Sequence, residues 1–396
     1  MARIAIIGGG IGGLATAISL RRYGFEPEVF EQAPELLDVG AAIALWSNAM
    51  RVLHHLSLRE KILESAGEIR GICWLTEDGT TLNAIRIGPQ AIPSVALHRA
   101  DLQHILLNAL PASTIHLNHS FVDAHEDNDK ITVSFNNSKA VECDVLIGAD
   151  GIHSRVRNEI VSNGAPVFRG YTVWRGIAPT VPRQVPPYTA LEVHGRGKRF
   201  GIGPVGHGRI GWWAAANATS LNPREQSEPF HVESVRVGDD TSTQLELLDL
   251  FEGWYPPVIQ LIASTPSSSI LRTQASDRVS TTSWGWRRTT LLGDAIHPTT
   301  PNLGQGGCMA IEDALVLARC FEKYGFGEQA LRAYERVRYS RTATITNYSR
   351  LYGAIGQWRS RWSTSLRKRV ISVVPEIVTR QLVKTVFDYD ALRVRI

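Results

Sequence analysis

The stretch from Ile4 to Glu31 constrains the fold more than any other part of the chain. Ile4-Ala5-Ile6-Ile7 is a short apolar run without charge, the pattern of a parallel strand buried on both faces. Gly8-Gly9-Gly10-Ile11-Gly12-Gly13 follows at once and satisfies G-x-G-x-x-G at Gly8, Gly10 and Gly13. Leu14 to Leu20 then reads as a tightly packed helix. Gly8 permits the tight turn, Gly10 lets a pyrophosphate approach the backbone, and Gly13 lets helix and strand pack closely. The free N–H groups of the helix start, at Ile11, Gly12 and Gly13, face the phosphates. After Gly24 a second strand, Pro27 to Phe30, ends in Glu31, at the distance from the turn that a ribose-binding carboxylate requires. This order of elements implies a dinucleotide site in a Rossmann-like α/β domain. Glu31 favours a ribose with a free 2′-hydroxyl, as in FAD or NAD, and the turn alone does not choose between those two.

A chain of 396 residues has room for two domains and a large core. Its net charge of +4 does not argue for nucleic acid, and no nucleic-acid-binding signature accompanies it. Cys73, Cys143, Cys308 and Cys320 lack CxxC spacing, so buried thiols in a reducing compartment are expected rather than disulfides or a metal site. The histidines lack metal-binding spacing too, and no metal is expected. The first strand begins almost at the N-terminus and no apolar run approaches the roughly 20 residues that span a bilayer, so a cytoplasmic location is expected.

Further along, Ser47 to Leu63 has helical periodicity, and Ile72 to Leu82 reads as a β-hairpin about Glu77-Asp78-Gly79. Leu97-His98-Arg99 leads into a helix from Ala100 to Leu110. Thr114 to Leu117, Ile131 to Phe135 and Ala140 to Cys143 read as strands. Asp144 to Gly151 is a second buried strand that ends in Asp150-Gly151. From Val167 to Trp286 the character changes to Trp- and Tyr-rich strands with one helical stretch, Gln244 to Leu261. Thr289 to Leu292 returns to the buried-strand pattern, and helices follow from Cys308 and from Glu328 to the C-terminus, interrupted near Pro375. The expected architecture is α/β: a dinucleotide domain built from 1–71, 97–165 and 287–345, an inserted, mostly antiparallel substrate domain from 166–286 joined by the hairpin 72–96, and a helical segment, 346–396. Gly201, Gly203 and Gly206 repeat G-x-G-x-x-G, but Pro204 lies inside and a strand follows, so a β-hairpin is expected there.

Three stretches taken together, Gly8 to Gly13, GADGIHSRVR from Gly148 to Arg157, and LLGDAIHPTTPNLGQGGCMAIED from Leu291 to Asp313, resemble the class A flavoprotein monooxygenases, the para-hydroxybenzoate hydroxylase-like family. The resemblance covers almost the whole chain. It implies a single-component enzyme that binds FAD, is reduced by NAD(P)H visiting transiently, and inserts one oxygen atom of dioxygen through a C4a-hydroperoxyflavin. It places Asp150 in a motif serving FAD and the nicotinamide, Asp294 on the FAD ribityl or ribose hydroxyls, and Arg99, with Gln103 one turn later, against FAD. Gly304, Gly306 and Gly307 precede or open a helix, so their backbone N–H groups can face an anionic flavin or peroxide. His297 and Pro298 in the same loop, and Arg175 within Trp174-Arg175-Gly176 at the domain junction, are the candidate catalytic residues. Arg175 has no acidic residue between Arg169 and Pro187, so it meets a distant carboxylate, an anionic substrate or the flavin.

The implied product is a hydroxylated aromatic or heteroaromatic ring. Olefin epoxidation is the runner-up, because Asn302 to Asp313 resembles zeaxanthin epoxidases, and a non-catalytic FAD-binding protein is the reading from another class. Trp212, Trp213, Phe200 and His194 lie on neighbouring strands, either as sheet core or as the lining of a flat apolar pocket. Near the C-terminus Ile355, Trp358, Trp362, Leu366 and Val370 recur at helical spacing among Arg359, Arg361, Arg367, Lys368 and Arg369. Such a helix either rests on a membrane surface or bridges the domains with a solvated basic face, and the second is the expectation.

Overall fold

The computed structural model describes residues 3–35, 40–87, 91–127, 129–161, 164–218 and 242–396. Elements are numbered in chain order. The first sheet runs β18 (Gly285–Trp286), β19 (Thr289–Leu291), β12 (Val145–Gly148), β1 (Ile4–Ile7), β2 (Pro27–Phe30), β8 (Ile115–His116). All neighbours are parallel except the β18–β19 pair. Every residue of β1, β12 and β19 is buried, which is why these strands carry no charge. Helix α1 (Ile11–Arg22) lies against the long helix Gly306–Tyr324, and both contribute to the core beside this sheet.

The second sheet runs β17 (Leu271–Asp277), β13 (Val167–Ala178), β16 (Ile210–Asn217), β15 (Lys198–Pro204), β14 (Thr189–His194), β5 (Gly71–Thr76), β6 (Thr81–Arg86). It is antiparallel except for the β5–β14 pair. Residues 71–86 thus pair onto the sheet formed by 167–277, and the glycines at 201, 203 and 206 lie on or just after β15, a hairpin strand. One face, with Trp174, Trp212, Phe200, Leu191 and Val193, buries itself against two helices and the turn between them, which supply Leu247, Phe251, Val258 and Leu261. The opposite face, with Arg175, Trp213, Gly201, Glu192 and Trp74 in one cross-strand row, turns toward the nucleotide domain. Two three-stranded sheets complete the β-structure: β3 (Ala42–Leu45), β7 (Ser94–His98), β4 (Gly67–Ile69), and β11 (Ala140–Cys143), β10 (Lys130–Phe135), β9 (Phe121–Asp127).

Several expected helices are divided. The 47–63 pattern splits into α2 (Ser47–His55) and α3 (Arg59–Ser65), because Ser57 takes a left-handed conformation with φ of +62°. The 244–261 stretch becomes α6 (Ser242–Leu250) and α7 (Pro256–Ser264), broken by Gly253 at φ of +73° and by Pro256. Between these pairs lie α4 (Arg99–Leu107) and α5 (Arg155–Ile160); after them come α8 (Gly306–Tyr324), α9 (Glu328–Gly356), α10 (Arg361–Val373) and α11 (Glu376–Phe387).

The C-terminal segment corrects the expectation of one helix with a solvated basic face. The apparent repeat from Ile355 to Val370 crosses a break between α9 and α10, where Ser360 caps the new helix through Ser363 N. Arg367 is buried and donates to the carbonyls of Ile355, Gly356 and Gly195, satisfying the last turn of α9. Among the described residues no helix is long and apolar enough to cross a membrane.

Candidate functional site

The glycine turn sits at the carboxyl ends of β1, β2 and β12, tied together by Gly8 N to Phe30 O and Ala149 N to Ile7 O, 2.8 Å each. Gly8 has φ of +110°, and a Cβ there would stand 2.5 Å from Ala149 O. A Cβ on Gly13 would be 1.9 Å from Gly8 O, so helix and strand close on each other only without a side chain. A Cβ on Gly12 would lie 3.1 Å from Leu292 Cδ2, and Ile11 is buried. Gly10 differs: a Cβ there would meet nothing within 4 Å. It is the uncapped N-cap of α1, so the N–H groups of the first turn open onto free space. A pyrophosphate fits that cradle.

Two side chains hold the turn. Glu31 accepts from Gly9 N at 2.6 Å and from Ala33 N at 2.9 Å, which leaves lone pairs on both oxygens for a ribose. Gln103, on α4, donates from Nε2 to Gly9 O at 3.1 Å and is buried against the turn. Asp150 accepts from Ser154 Oγ, Arg155 N and Val156 N, so its carboxylate caps α5. Burial outweighs those bonds and pushes its carboxyl above the ordinary value.

The loop after β19 carries Asp294. Gly293, at φ of +59°, turns the chain, and the Asp294 carboxylate has no hydrogen-bond donor among the described residues. It is accessible to solvent yet deeply surrounded by protein, as a group on a cavity wall is. That surrounding protein raises its pKa, against the pull of His297 and Arg99. Arg99 occupies the same kind of position. Protein around it lowers its basicity, Asp294 acts the other way, and no carboxylate among the described residues reaches ion-pair distance. An unclaimed carboxylate and an unclaimed guanidinium near enough to influence each other's charge fit a ligand with both hydroxyls and negative charge, and FAD has both.

The backbone of this loop is held from behind. Asp313 accepts from Gly293 N at 3.1 Å and from His297 Nε2 at 2.6 Å, and its other oxygen takes Arg338 Nε at 2.6 Å. Burial alone would raise the Asp313 carboxyl, but His297 and Arg338 outweigh it and hold it below the ordinary value. Arg157 donates from Nη1 to the carbonyls of Ala295 and Ile296, 2.9 Å each. His297 therefore belongs to a buried hydrogen-bond network with Asp313 and Arg338, and buried Pro298 follows it in the loop.

Gly304 ends a short 3-10 turn at φ of +59°, and Gly306 and Gly307 open α8 with no side-chain cap. A Cβ on Gly304 would lie 3.1 Å from Trp46 Nε1, and one on Gly307 would lie 2.9 Å from Ile43 Cδ1. Trp46 Nε1 is buried without a hydrogen-bond partner. Strand β3, which supplies Ile43 and leads to Trp46, escapes the sequence reading; its signal is the small apolar run Ala41 to Leu45.

The facing sheet completes the enclosure. Arg175 donates from Nη1 to Thr273 Oγ1 at 2.9 Å, and among the described residues no carboxylate pairs with it. Burial lowers its basicity, and Arg99 is near enough to lower it further. Trp213, directly across the strand pair, fills the space that a Gly201 Cβ would take. Asn302 bridges the two domains: its Nδ2 lies 2.8 Å from Tyr171 OH and its Oδ1 accepts from Arg199 Nη2 at 2.5 Å. Arg199 is paired with Glu192 at 3.0 Å, and Glu192 also accepts from Tyr352 OH. Trp212 and Phe200 stack at 5.3 Å in the far core, so of the four residues weighed for the pocket, only Trp213 and His194 lie on the inward face. Burial pushes His194 down to about 4, which leaves it neutral near pH 7.

Residues 1–349 match the family model described as an FAD binding domain. The chain is 35% identical over 375 residues to aurachin C monooxygenase/isomerase of Stigmatella aurantiaca, covering 94% of each. It is 32% identical over 376 residues to the chloroplastic zeaxanthin epoxidase of Spinacia oleracea, covering 88% of this chain and 53% of that one. The crystal structure of Klebsiella pneumoniae HpxO complexed with FAD and uric acid superposes with a TM-score of 0.86 at 26% identity, covering 98% of this chain and 96% of that one.

Proposed function

Because the chain belongs to the FAD-binding-domain family of the class A flavoprotein monooxygenases, we propose that it oxygenates an aromatic or heteroaromatic substrate bearing an anionic or enolic group. It is an FAD-dependent monooxygenase whose electrons come from NAD(P)H. When bound, FAD supplies the redox chemistry with dioxygen. The chain's own residues bind, orient and exclude water. In this reading Gly8 to Gly13 receive the pyrophosphate, Glu31 and Asp294 the sugar and ribityl hydroxyls, and Arg99 the negative charge beside them. Gly304, Gly306 and Gly307 turn backbone N–H groups toward the ring. Gln103, Asp150, Arg157 and Asp313 act as positioning residues, since they bond to the backbone and to neighbouring side chains, and His297 holds Asp313 through Nε2 while its buried Nδ1 has no partner among the described residues. Pro298 closes the wall.

Arg175 carries the substrate assignment. A guanidinium turned inward without a carboxylate leaves a charge to be answered, and burying it unpaired is costly. A phenolate, carboxylate or enolate over the flavin answers it, and Trp213 offers a flat neighbour for a ring. Uric acid in the HpxO structure is a heteroaromatic of this kind. The similarity to zeaxanthin epoxidase favours a second reading, epoxidation of an olefin, but a neutral polyene leaves Arg175 unanswered. NADH and NADPH oxidation by the FAD-loaded enzyme, screened with phenols, indoles, purines and polyenes, separates the two. Acidic or enolisable aromatics are expected to stimulate it; stimulation by polyenes alone replaces hydroxylation with epoxidation.

A further inference from the structure

Helix α10 is built inside out. The side chains it turns toward the protein include Thr364 and Arg367, 4% and 2% exposed. Those it turns outward are Trp362, Leu366, Val370 and Val373, with Trp362 at 74% and Val373 at 66%. At 3.6 residues per turn these four fall within an arc of about 80°. Ile377, 77% exposed, and Val378 continue the apolar surface onto α11. The face is rigidly placed. Asn83 on β6 donates to the carbonyls of Ile371 and Val374, and Lys368 pairs with Glu77 at 3.0 Å.

Charge surrounds this stripe. From Arg359 to Phe387 the sequence has seven Lys and Arg against the single acid Glu376, a balance of +6 in a chain whose total is +4. The remainder of the chain is therefore net acidic, and the cations are concentrated here. Arg361, Arg369 and Lys384 have no carboxylate partner among the described residues. A second copy of the chain docking through this face in a two-fold manner would set the unpaired cations Arg361, Arg369 and Lys384 of one copy against those of the other, which opposes self-association. An anionic lipid surface answers both features at once: headgroups meet the unpaired cations, and the acyl boundary takes the apolar stripe.

We propose that α10 and α11 form an in-plane anchor for an anionic lipid surface, holding the β5–β6 edge of the second sheet against it. The inference does not depend on which substrate is oxygenated. The test is co-sedimentation of the FAD-loaded full chain with vesicles of phosphatidylcholine alone and of phosphatidylcholine mixed with phosphatidylglycerol. Binding is expected to the mixed vesicles only, and to weaken with salt. Trp362→Ser/Val373→Ser/Ile377→Ser lowers the partition coefficient by on the order of a hundredfold. Arg361→Gln/Arg369→Gln/Lys384→Gln does so by about the same factor. Both variants change exposed side chains, so flavin content and melting temperature stay at the wild-type level. Absence of vesicle binding, equal binding to neutral vesicles, or unchanged binding by the apolar triple variant overturns the proposal. A dimer in sedimentation velocity that the triple variant dissolves, without vesicle binding, makes the face a self-interface instead.

Discussion

Gly10→Ala isolates the ligand's demand on the nucleotide turn from the fold's demand. Gly10 has φ of −75° and ψ of −178°, which alanine adopts without strain, and a Cβ there meets nothing within 4 Å. At an N-cap alanine is poorer than glycine by roughly 0.5–1 kcal/mol. The less flexible unfolded chain returns about 0.4–1 kcal/mol. The two effects offset, so the apoprotein should melt within about 2 °C of wild type. The new methyl occupies the space into which the first-turn N–H groups of α1 open. Losing one charge-assisted bond to a phosphate there costs about 1.5–3 kcal/mol, or roughly ten- to a hundredfold in affinity. Titrating apoprotein into FAD and following its fluorescence measures this directly. Gly13→Ala is the contrast: its Cβ would lie 1.9 Å from a backbone carbonyl, so stability itself falls. If Gly10→Ala binds FAD as tightly as wild type, the open space over Gly10 is not the phosphate site.

Asp294→Ala is expected to weaken FAD retention by about ten- to a hundredfold, whereas Asp123→Ala, which removes an exposed carboxylate on β9, leaves it unchanged; equal retention by the two, both folded, removes Asp294 from the site. Arg175→Lys keeps the charge but loses the planar fork, so it should keep FAD and melting temperature while substrate-stimulated flavin reduction in stopped flow falls about tenfold or more. Full turnover by that variant makes Arg175 structural. Burial pushes the thiols of Cys143, Cys308 and Cys320 up to about 12 each, so a disulfide reagent should titrate at most Cys73 in the native enzyme and all four thiols in denaturant. More than one fast native thiol contradicts the burial of these helices and strands.

The nucleotide domain is legible in the sequence because its determinants are local. Ile4 to Glu31 specify strand, turn, helix and strand within one stretch, and the uncharged runs at Val145 and Thr289 mark strands buried on both faces. What a motif does not reveal is where a polar side chain spends its hydrogen bonds. Asp150 stands in a flavin-associated motif, yet its oxygens cap α5; Gln103 turns to Gly9 O. Arg157, Asp313 and Arg338 shape the Asp294 loop through contacts between elements far apart in the chain, and no spacing rule reports these. Strand β9 is charged and exposed along much of its length, so its composition conceals it. Periodicity around Trp362 reveals an amphipathic helix but not which face points inward. The default of polar side outward fails there because Arg367 is needed to satisfy the end of α9.

Labelled dioxygen supplies the most direct test of the central claim. An aromatic compound that stimulates NAD(P)H oxidation is incubated with the FAD-loaded enzyme under the labelled gas, and the product is examined by mass spectrometry. A monooxygenase places one labelled atom in the product and the other in water, with product formed in proportion to NAD(P)H consumed. Stoichiometric hydrogen peroxide with no labelled product, across every compound that stimulates oxidation, would contradict it.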